Sequence, residues 1–156
     1  MECAEAFARC SVGERLRVGT VIVKNNRIIS CGYNALPEHL SGALEEKEYM
    51  KSDAGGWLDV DWIEEQYPHE DESGRYRLTT KPEVRHSEKN ALMGLIKSNE
   101  SAVGSSMFCT NSCCKMCAID IVDAGVTEFY YKYDYRSDEG LKHLISCGLK
   151  VIKLPH

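Results

Sequence analysis

The chain opens with two hydrophobic patterns that predict a helix followed by a hairpin. Ala4, Phe7 and Ala8 recur at helical spacing and predict a short helix within about the first dozen residues. Residues 18–24 and 27–33 are rich in β-branched side chains, and the two asparagines between them are typical of a tight turn. We therefore predict that these two runs form an antiparallel hairpin.

Helical and strand-like patterns alternate after residue 86. Apolar residues at 91, 92, 95 and 96 share one face of a helix over about 87–97. Further strands are predicted at 106–109, 127–131 and 149–154, and further helices at 115–123 and 137–146. This order predicts an α/β fold with a mixed five-stranded sheet and helices on both faces, which is a three-layer α/β/α arrangement.

The segment between the hairpin and this alternation has a different character. Residues 35–82 contain three of the four prolines, two clusters of acidic residues and both tryptophans, Trp57 and Trp62. We predict a single domain over residues 1–156, with an inserted segment of helix and loop at about 38–82. The tryptophans are expected to be packing anchors of that insertion, or interface residues, rather than substrate contacts.

Composition narrows the classes of protein to consider. The 156 residues include 24 acidic and 19 basic side chains, for a formal net charge of −5. The apolar fraction of 43 % is typical of a globular protein, and no apolar run approaches the ~18 residues of a membrane span. The N-terminus also lacks a secretion-signal pattern, so we expect a cytoplasmic protein without a membrane partner. The acidity disfavours nucleic-acid partners, which need clustered Lys and Arg, but it leaves small nucleotides open.

Cysteine is the compositional anomaly. Three of the eight cysteines, Cys113, Cys114 and Cys117, fall within five residues. Cys114 and Cys117 stand at the start of a predicted helix, and His86 stands at the start of another. Two thiolates and one imidazole make a three-ligand zinc site with room for water. Structural zinc with Cys109 or Cys113, and a redox dithiol, are the competing interpretations of this cluster.

Glu88 favours a catalytic interpretation of the site. It lies two residues beyond His86, an offset that turns its side chain away from the ligand direction on a helix. From there a carboxylate can take a proton from the metal-activated water and deliver it to a substrate. A purely structural zinc site has no use for such a group.

Together these residues resemble the zinc-dependent cytidine and deoxycytidylate deaminase family, whose signature is H-x-E followed by P-C-x-x-C. The sequence RVGTVIV at 17–23 is similar to the family's V-G-A-x-I-V strand, and GYN at 32–34 matches the end of its second strand. The sequence HSEKNAL at 86–92 is similar to H-A-E-x-N-A-I, the form typical of the deoxycytidylate branch. The stretch YDYRSDEG at 133–140 also resembles that branch.

The resemblance implies a cytidine deaminase-like fold and the hydrolysis of dCMP to dUMP. His86, Cys114 and Cys117 would hold one Zn²⁺, and Glu88 would be the catalytic proton carrier. The backbone N–H groups of Ser87 and Cys114 would meet the base and the attacking water. The expected nucleotide contacts are the sugar ligand Asn34, the closing residues Tyr133 and Tyr135, and the phosphate ligand Arg136, with Arg17 and Lys115 as further phosphate candidates.

Two departures from the family pattern affect which metal-ligand and regulatory roles the resemblance implies for this chain. Cys113 stands where the family has proline, which leaves Cys113 with Cys117 as a rival ligand pair. The residues after Asn34 read ALPEH instead of the glycine-rich stretch of regulated members. The resemblance would place an allosteric site for dCTP and dTTP, with Mg²⁺, at Gly32, Tyr33 and Asn34. The missing glycines weaken that expectation. The resemblance also implies a homo-oligomer, specifically a homohexamer.

Other activities remain open at this point. Within the enzyme class they are a bifunctional dCMP/dCTP deaminase, a free cytidine deaminase, and a nucleic-acid deaminase acting on tRNA adenosine or single-stranded DNA cytosine. Outside that class, the chain would be a binding module stabilised by structural zinc. The remaining cysteines, Cys3, Cys10, Cys31, Cys109 and Cys147, are expected to be reduced and buried.

Overall fold

A mixed five-stranded sheet lies at the centre of the computed structural model, which describes residues 1–51 and 60–155. Its strand order is β2-β1-β6-β7-β8. The elements are α1 (Glu2–Ala8), β1 (Gly19–Lys24), β2 (Arg27–Tyr33), β3 (Glu45–Tyr49), α2 (Val60–Gln66), β4 (His69–Asp71), β5 (Gly74–Thr80), α3 (Ser87–Ile96), β6 (Ser106–Asn111), α4 (Lys115–Asp123), β7 (Glu128–Tyr133), α5 (Glu139–Ser146) and β8 (Lys150–Lys153). The predicted hairpin is present, with β1 antiparallel to β2, and β6, β7 and β8 run parallel.

Two glycines show that helices cover both faces of the sheet, as predicted. Gly32 pairs with Thr20, the neighbour of Gly19 on β1, so the two glycines face opposite sides. A Cβ on Gly19 would lie 2.0 Å from the Ala4 carbonyl oxygen of α1. A Cβ on Gly32 would lie 2.4 Å from the backbone nitrogen of Ala91 in α3. Glycine at each position therefore lets a helix approach the hairpin closely, one on each face.

The helix α5 packs against the loop that leads from β6 into α4. A Cβ on Gly140 would meet the Cys113 carbonyl oxygen at 2.1 Å. Cys113 is fully buried in the core, beside Met107, Phe129 and Leu144. The segment that carries the C-x-x-C motif is thus fixed between the sheet and α5.

The inserted segment contains a second sheet that the sequence did not predict. Helix α2 agrees with the expected helix, but most of the regular structure in the described part is a three-stranded antiparallel sheet with the order β3-β5-β4. Its strands are polar and are joined by cross-strand ion pairs, such as Arg77 to Glu48 at 2.9 Å and Lys47 to Asp71. Trp62 is exposed, so it is not a packing anchor and the interface role stays a prediction. Trp57 lies outside the described residues.

Four cysteines expected in the core are on the surface. Cys3, Cys10, Cys31 and Cys147 are exposed, and only Cys109 of that group is buried. In the described ranges, no helix is long and apolar enough to cross a membrane.

Candidate metal and nucleotide site

Three side chains converge on one point between the starts of two helices. The Nδ1 atom of His86 lies 3.6 Å from the Cys114 sulfur and 3.4 Å from the Cys117 sulfur. In the described part of the chain, these three residues are the one group of three or more His, Cys, Asp or Glu with metal-ligand spacing. With Zn–N at ~2.0–2.1 Å and Zn–S at ~2.3 Å, tetrahedral zinc puts nitrogen and sulfur ligands about 3.6 Å apart, which fits this triad.

The helix termini place these ligands. His86 is the N-cap of α3 and Cys114 is the N-cap of α4, and both have extended backbones. The Cys114 sulfur also accepts the Cys117 N–H at 3.5 Å. Because the free N–H groups at a helix start favour negative charge, both termini favour thiolate near them. Cys113 is fully buried and outside the triad, so the structure places Cys114 with Cys117.

The pKa values of the two thiols in the triad are shifted in opposite directions. Hydrogen bonding with Cys117, and then with His86, lowers the pKa of the Cys114 thiol to about 3. The same interaction with Cys114, and then burial, raises the pKa of the Cys117 thiol. The pair therefore gives up its first proton readily and holds the second, as expected for two thiols that share a site. Hydrogen bonding with Cys114 also raises the pKa of His86.

Glu88 lies beside the triad without belonging to it. Its side chain is 4 % exposed and is absent from the ligand group, as the motif spacing predicted. Burial raises the pKa of its carboxyl above the ordinary value. The Ser87 hydroxyl donates to Glu88 Oε2 at 3.0 Å. The carboxylate is thus a buried group placed beside the ligands rather than among them.

A cavity of about 610 Å³ opens onto these groups. Its lining includes His86, Cys114 and Glu88. The other predicted site residues found in the lining are Asn34, Ser87, Tyr135 and Arg136. Tyr133 and Cys117 are not in the lining, and Tyr133 is exposed.

The Asn34 side chain is already engaged with the protein. Its Oδ1 accepts the Val18 N–H at 2.8 Å, and its Nδ2 donates to the Leu16 carbonyl at 2.9 Å. These bonds fix the amide at the edge of the cavity. One amide hydrogen and one oxygen lone pair remain for a ligand.

Two arginines line the cavity, and the sequence identified only one of them. Arg136 was predicted, and its guanidinium lies over the Tyr135 ring at 5.3 Å from the centroid. Arg15 was missed, although its side chain lines the same cavity. Arg17 and Lys115 are not in the lining, and the Arg17 Nε donates instead to the Gly13 carbonyl.

The inserted sheet supplies one wall of the cavity. Glu45, Thr79 and Thr80, from β3 and β5, are in the lining. Glu45 is 8 % exposed, and its carboxylate accepts the backbone N–H groups of Glu14 and Arg15 at 3.3 Å each. The acidic pair at 45–46 was the sequence feature that could have pointed to Glu45 as a site residue. Charge alone does not show which of the two is buried.

Gly32 and Tyr33, the effector residues carried over from the resemblance, lie outside the cavity lining. Gly32 packs against α3, and the Tyr33 carbonyl accepts from Asn90 Nδ2 at 2.8 Å. The close approach of α3 is a sufficient reason for glycine at position 32.

Comparison with known proteins gives a consistent result. Residues 1–133 match the family described as the cytidine and deoxycytidylate deaminase zinc-binding region. The deoxycytidylate deaminase of Saccharomyces cerevisiae is 30 % identical over 154 residues, which is 97 % of this chain but 42 % of the yeast protein. The deoxycytidylate deaminase of Enterobacteria phage T4 is 29 % identical over 159 residues, covering 89 % of this chain and 79 % of the phage protein.

The fold also resembles a solved enzyme. A crystal structure of dCMP deaminase from the cyanophage S-TIM5, in complex with dCMP and dUMP, superimposes with a TM-score of 0.75. It shares 32 % sequence identity, and the match covers 98 % of this chain and 92 % of the phage chain. The predicted α/β architecture is therefore that of a known deaminase.

Proposed function

The chain belongs to the cytidine and deoxycytidylate deaminase family, and on this basis we propose that it hydrolyses dCMP to dUMP and ammonia. The observation that carries the choice of substrate is the composition of one cavity. The His86, Cys114 and Glu88 groups line it together with two arginines, Arg15 and Arg136. A deaminating centre and a pair of cations in one cavity suit a cytosine base joined to a phosphate.

In this proposal the triad holds one catalytic zinc ion through His86, Cys114 and Cys117. A zinc ion so bound lowers the pKa of water to near neutrality. Glu88 takes a proton from the attacking water and passes it to N3 of the cytosine ring. It then takes the second proton of that water, from the oxygen now bonded to C4, and delivers it to the leaving amine. The water oxygen becomes the carbonyl oxygen of uracil, and the bond from C4 to the amino nitrogen breaks to release ammonia.

The remaining cavity residues orient the nucleotide. The backbone N–H groups of Ser87 and Cys114 meet the base oxygen and the attacking water, and the remaining amide hydrogen of Asn34 bonds the sugar. Arg136, stacked on Tyr135, binds the phosphate together with Arg15. Tyr133, which lies outside the lining, stays a prediction from the resemblance.

The direct test is turnover by the purified, zinc-loaded protein with dCMP, cytidine and dCTP, followed as loss of cytosine absorbance. We expect kcat/KM for dCMP at least about tenfold above that for cytidine, because the two arginines contact only the phosphorylated substrate. Equal or better turnover of dCTP would instead show the bifunctional activity. Turnover of tRNA adenosine or single-stranded DNA, but not of free nucleotides, would show a nucleic-acid deaminase.

A structural role for zinc would give a different result. The protein would then bind one zinc per chain and lose its fold on chelation, yet deaminate none of these compounds. The buried Glu88 beside the triad supports the enzyme over this binding module.

Regulation and assembly are further predictions of the resemblance. Equilibrium binding of dCTP and dTTP, with and without Mg²⁺, tests the effector site at Gly32, Tyr33 and Asn34. No binding at millimolar ligand would rule out the regulatory idea. Light scattering of the purified protein tests the expected homohexamer.

A further inference from the structure

A line of buried hydroxyl groups leads to the catalytic carboxylate from the interior of the sheet. Thr20 Oγ1 on β1 lies 2.7 Å from Ser87 Oγ at the start of α3. Ser87 Oγ in turn donates to Glu88 Oε2 at 3.0 Å. Thr20 Oγ1 also lies 3.1 Å from the Cys109 sulfur on β6. Thr20, Ser87 and Glu88 thus form one hydrogen-bonded line from β1 to α3. The Cys109 sulfur contacts both hydroxyls and lies 3.7 Å from Ser87 Oγ.

The number of hydroxyl protons determines which oxygen donates along this line. Each hydroxyl has one proton, and Ser87 donates its own to Glu88. The short contact between the two hydroxyls is therefore a donation from Thr20 to Ser87. The Cys109 sulfur is the weaker acceptor for the same Thr20 proton, so the hydroxyl oxygen is favoured.

The side chains of the line are buried, and only its Ser87–Glu88 end borders the cavity. Thr20, Ser87 and Cys109 are 0 % exposed, and Glu88 is 4 % exposed. In such surroundings a satisfied hydrogen bond is stronger than in water, and water cannot replace a lost partner. The end at Thr20 and Cys109 is buried, so the line does not lead protons from solvent to Glu88.

The same two residues depart from the motifs that the chain resembles. The strand motif V-G-A-x-I-V has alanine at the position of Thr20, and H-A-E has alanine at the position of Ser87. Both positions are polar here, and the two side chains contact each other. A lone buried hydroxyl would carry a desolvation penalty. Here Thr20 bonds to Ser87, and Ser87 bonds to the Glu88 carboxylate, so both hydroxyls have partners.

We propose that Thr20 and the Ser87 hydroxyl are positioning residues that hold the Glu88 carboxylate in one orientation for proton transfer. The terminal torsion of a glutamate side chain has a broad energy well, so the carboxylate plane needs an external constraint. Ser87 supplies it by occupying Oε2, which leaves the other oxygen to exchange protons with water and substrate. Thr20 acts through Ser87 by orienting the serine hydroxyl.

This inference rests on the proposed function, because its kinetic test uses dCMP turnover. The variants are Ser87→Ala, Thr20→Val, the double variant, and Thr20→Ser, which keeps the hydroxyl while losing a methyl. Ser105→Ala is the matched control for loss of a buried hydroxyl. In the described part of the chain, Ser105 Oγ is the one buried side-chain N or O atom without a hydrogen-bond partner.

The expected kinetic result is a loss in kcat alone. Ser87→Ala should lower kcat on the order of tenfold, and Thr20→Val about threefold, with KM for dCMP within about twofold of the parent. The double variant should match Ser87→Ala within about twofold, since Thr20 has no route to Glu88 without the serine. Thr20→Ser should restore the parent kcat, Ser105→Ala should leave it unchanged, and every variant should hold one zinc per chain.

Several outcomes would overturn the proposal. Multiplication of the Thr20 and Ser87 effects on kcat would show that they act separately, and a change in KM alone would show a substrate contact. Thr20→Ser behaving like Thr20→Val would assign the effect to packing of the threonine methyl. A kcat unchanged by Ser87→Ala would show that the serine hydroxyl does not position Glu88.

A second readout separates this proposal from the proposed function. Thermal unfolding midpoints of the parent, Thr20→Val, Ser87→Ala and the double variant form a double-mutant cycle that needs no substrate. We expect the combined Thr20→Val and Ser87→Ala shift to be smaller than the sum of the single shifts. Coupled midpoints in a protein that does not deaminate dCMP would reject the proposed function while keeping the hydrogen-bonded line. Additive midpoints would reject the line itself.

Discussion

The Glu45 carboxylate accepts the backbone N–H of Arg15 at 3.3 Å, and this bond ties the inserted sheet to the loop that carries a cavity arginine. The Arg15 side chain continues the connection by donating to Thr80 Oγ1 at 3.3 Å. Glu45 and Thr80 are themselves cross-strand partners in β3 and β5. The insertion therefore fixes one of the two positive charges that face the proposed phosphate.

Replacing Glu45 should weaken substrate binding without affecting the metal. Glu45→Ala leaves two backbone N–H groups of the 14–15 loop without their acceptor, so we expect KM for dCMP to rise about three- to tenfold. The free energy of unfolding should fall by ~1–3 kcal/mol. Steady-state kinetics and urea unfolding measure these changes, and Glu46→Ala on the exposed neighbour is the control. Equal effects of the two variants would contradict the role of Glu45.

Removing the Arg15 charge should affect phosphorylated substrates selectively. In Arg15→Ala we expect KM for dCMP to rise about ten- to a hundredfold, because a charge-assisted bond is lost. Turnover of cytidine, which has no phosphate, should stay within about twofold of the parent. Arg17→Ala is the matched control, since Arg17 lies outside the cavity lining. If Arg17→Ala raises KM for dCMP and Arg15→Ala does not, the phosphate assignment is wrong.

The two adjacent cysteines should differ in metal binding. Cys113→Ala should keep one zinc per chain and lose on the order of 1 kcal/mol of stability, because it leaves a small cavity in the core. Cys114→Ala should lose zinc, because only two ligands of the triad remain. Metal analysis after exhaustive dialysis measures both results. Loss of zinc from Cys113→Ala would assign the ligand to Cys113 instead.

Glu88 should be needed for turnover but not for the fold or for zinc. Glu88→Gln keeps the shape of the side chain and removes its ability to carry a proton, so we expect kcat to fall by roughly 10²–10⁴-fold. Zinc content and the thermal midpoint should stay close to those of the parent. The assay is single-turnover conversion of dCMP, and Glu83→Gln, on the exposed stretch before the motif, is the control. Unchanged turnover in Glu88→Gln would remove Glu88 from the mechanism.

The ion pair that joins α1 to the sheet should contribute to acid sensitivity. Lys132 Nζ lies 2.8 Å from Glu5 Oε1, and this bond lowers the pKa of Glu5 below its ordinary value of 4.5. A carboxyl with a lowered folded-state pKa stabilises the fold fully above its ordinary pKa and loses that contribution as pH falls through the lowered value. Thermal midpoints between pH 7 and pH 3 should therefore drop less in Glu5→Gln than in the parent.

Glu2→Gln, on the same helix, is the control for this acid effect. It should show the parent's full loss of thermal midpoint on acidification. A Glu5→Gln profile parallel to that of the parent would mean that the ion pair contributes nothing to stability.

The sequence predicted the site residues that lie within short motifs. His86 and Glu88 form one short motif at a helix start, and Cys114 and Cys117 form another, so their relative positions follow from helix geometry. The start of α4 follows β6, and the start of α3 follows Arg85, which bridges Ala35 just beyond the end of β2. The structure brings His86, Cys114 and Cys117 together, and their roles and that of Glu88 stay predictions.

The parts that the sequence did not reveal depend on contacts between distant segments. Arg15 and Glu45 are 30 residues apart and meet only because β3 folds back against the 13–17 loop. The strand β3 itself, with the sequence EEKEY, has no alternation of apolar and polar residues. It pairs with β5, and its side chains form ion pairs with Arg77 on β5 and Asp71 on β4. No local pattern encodes those partners.

The surface cysteines show a different kind of error. Cysteine is among the most often buried residue types, and that general tendency led to the expectation of a core position. Cys3 lies on the short helix α1 and Cys10 just beyond it, and Cys147 is the C-cap of α5. Residue type alone did not show which sides of these elements face solvent.

The two sheets are hydrogen-bonded separately, and this separates the support of the metal triad from one wall of the cavity. The five central strands pair with one another, and β3, β4 and β5 pair with one another, so changes in the smaller sheet leave the ladder that supports the zinc ligands intact. Glu45, Thr79 and Thr80 of the smaller sheet still line the nucleotide cavity. Mutation in β3 or β5 is thus expected to change which ligand the cavity admits while the His86, Cys114 and Cys117 triad keeps its place. Such a division lets new substrate preferences evolve without rebuilding the chemistry.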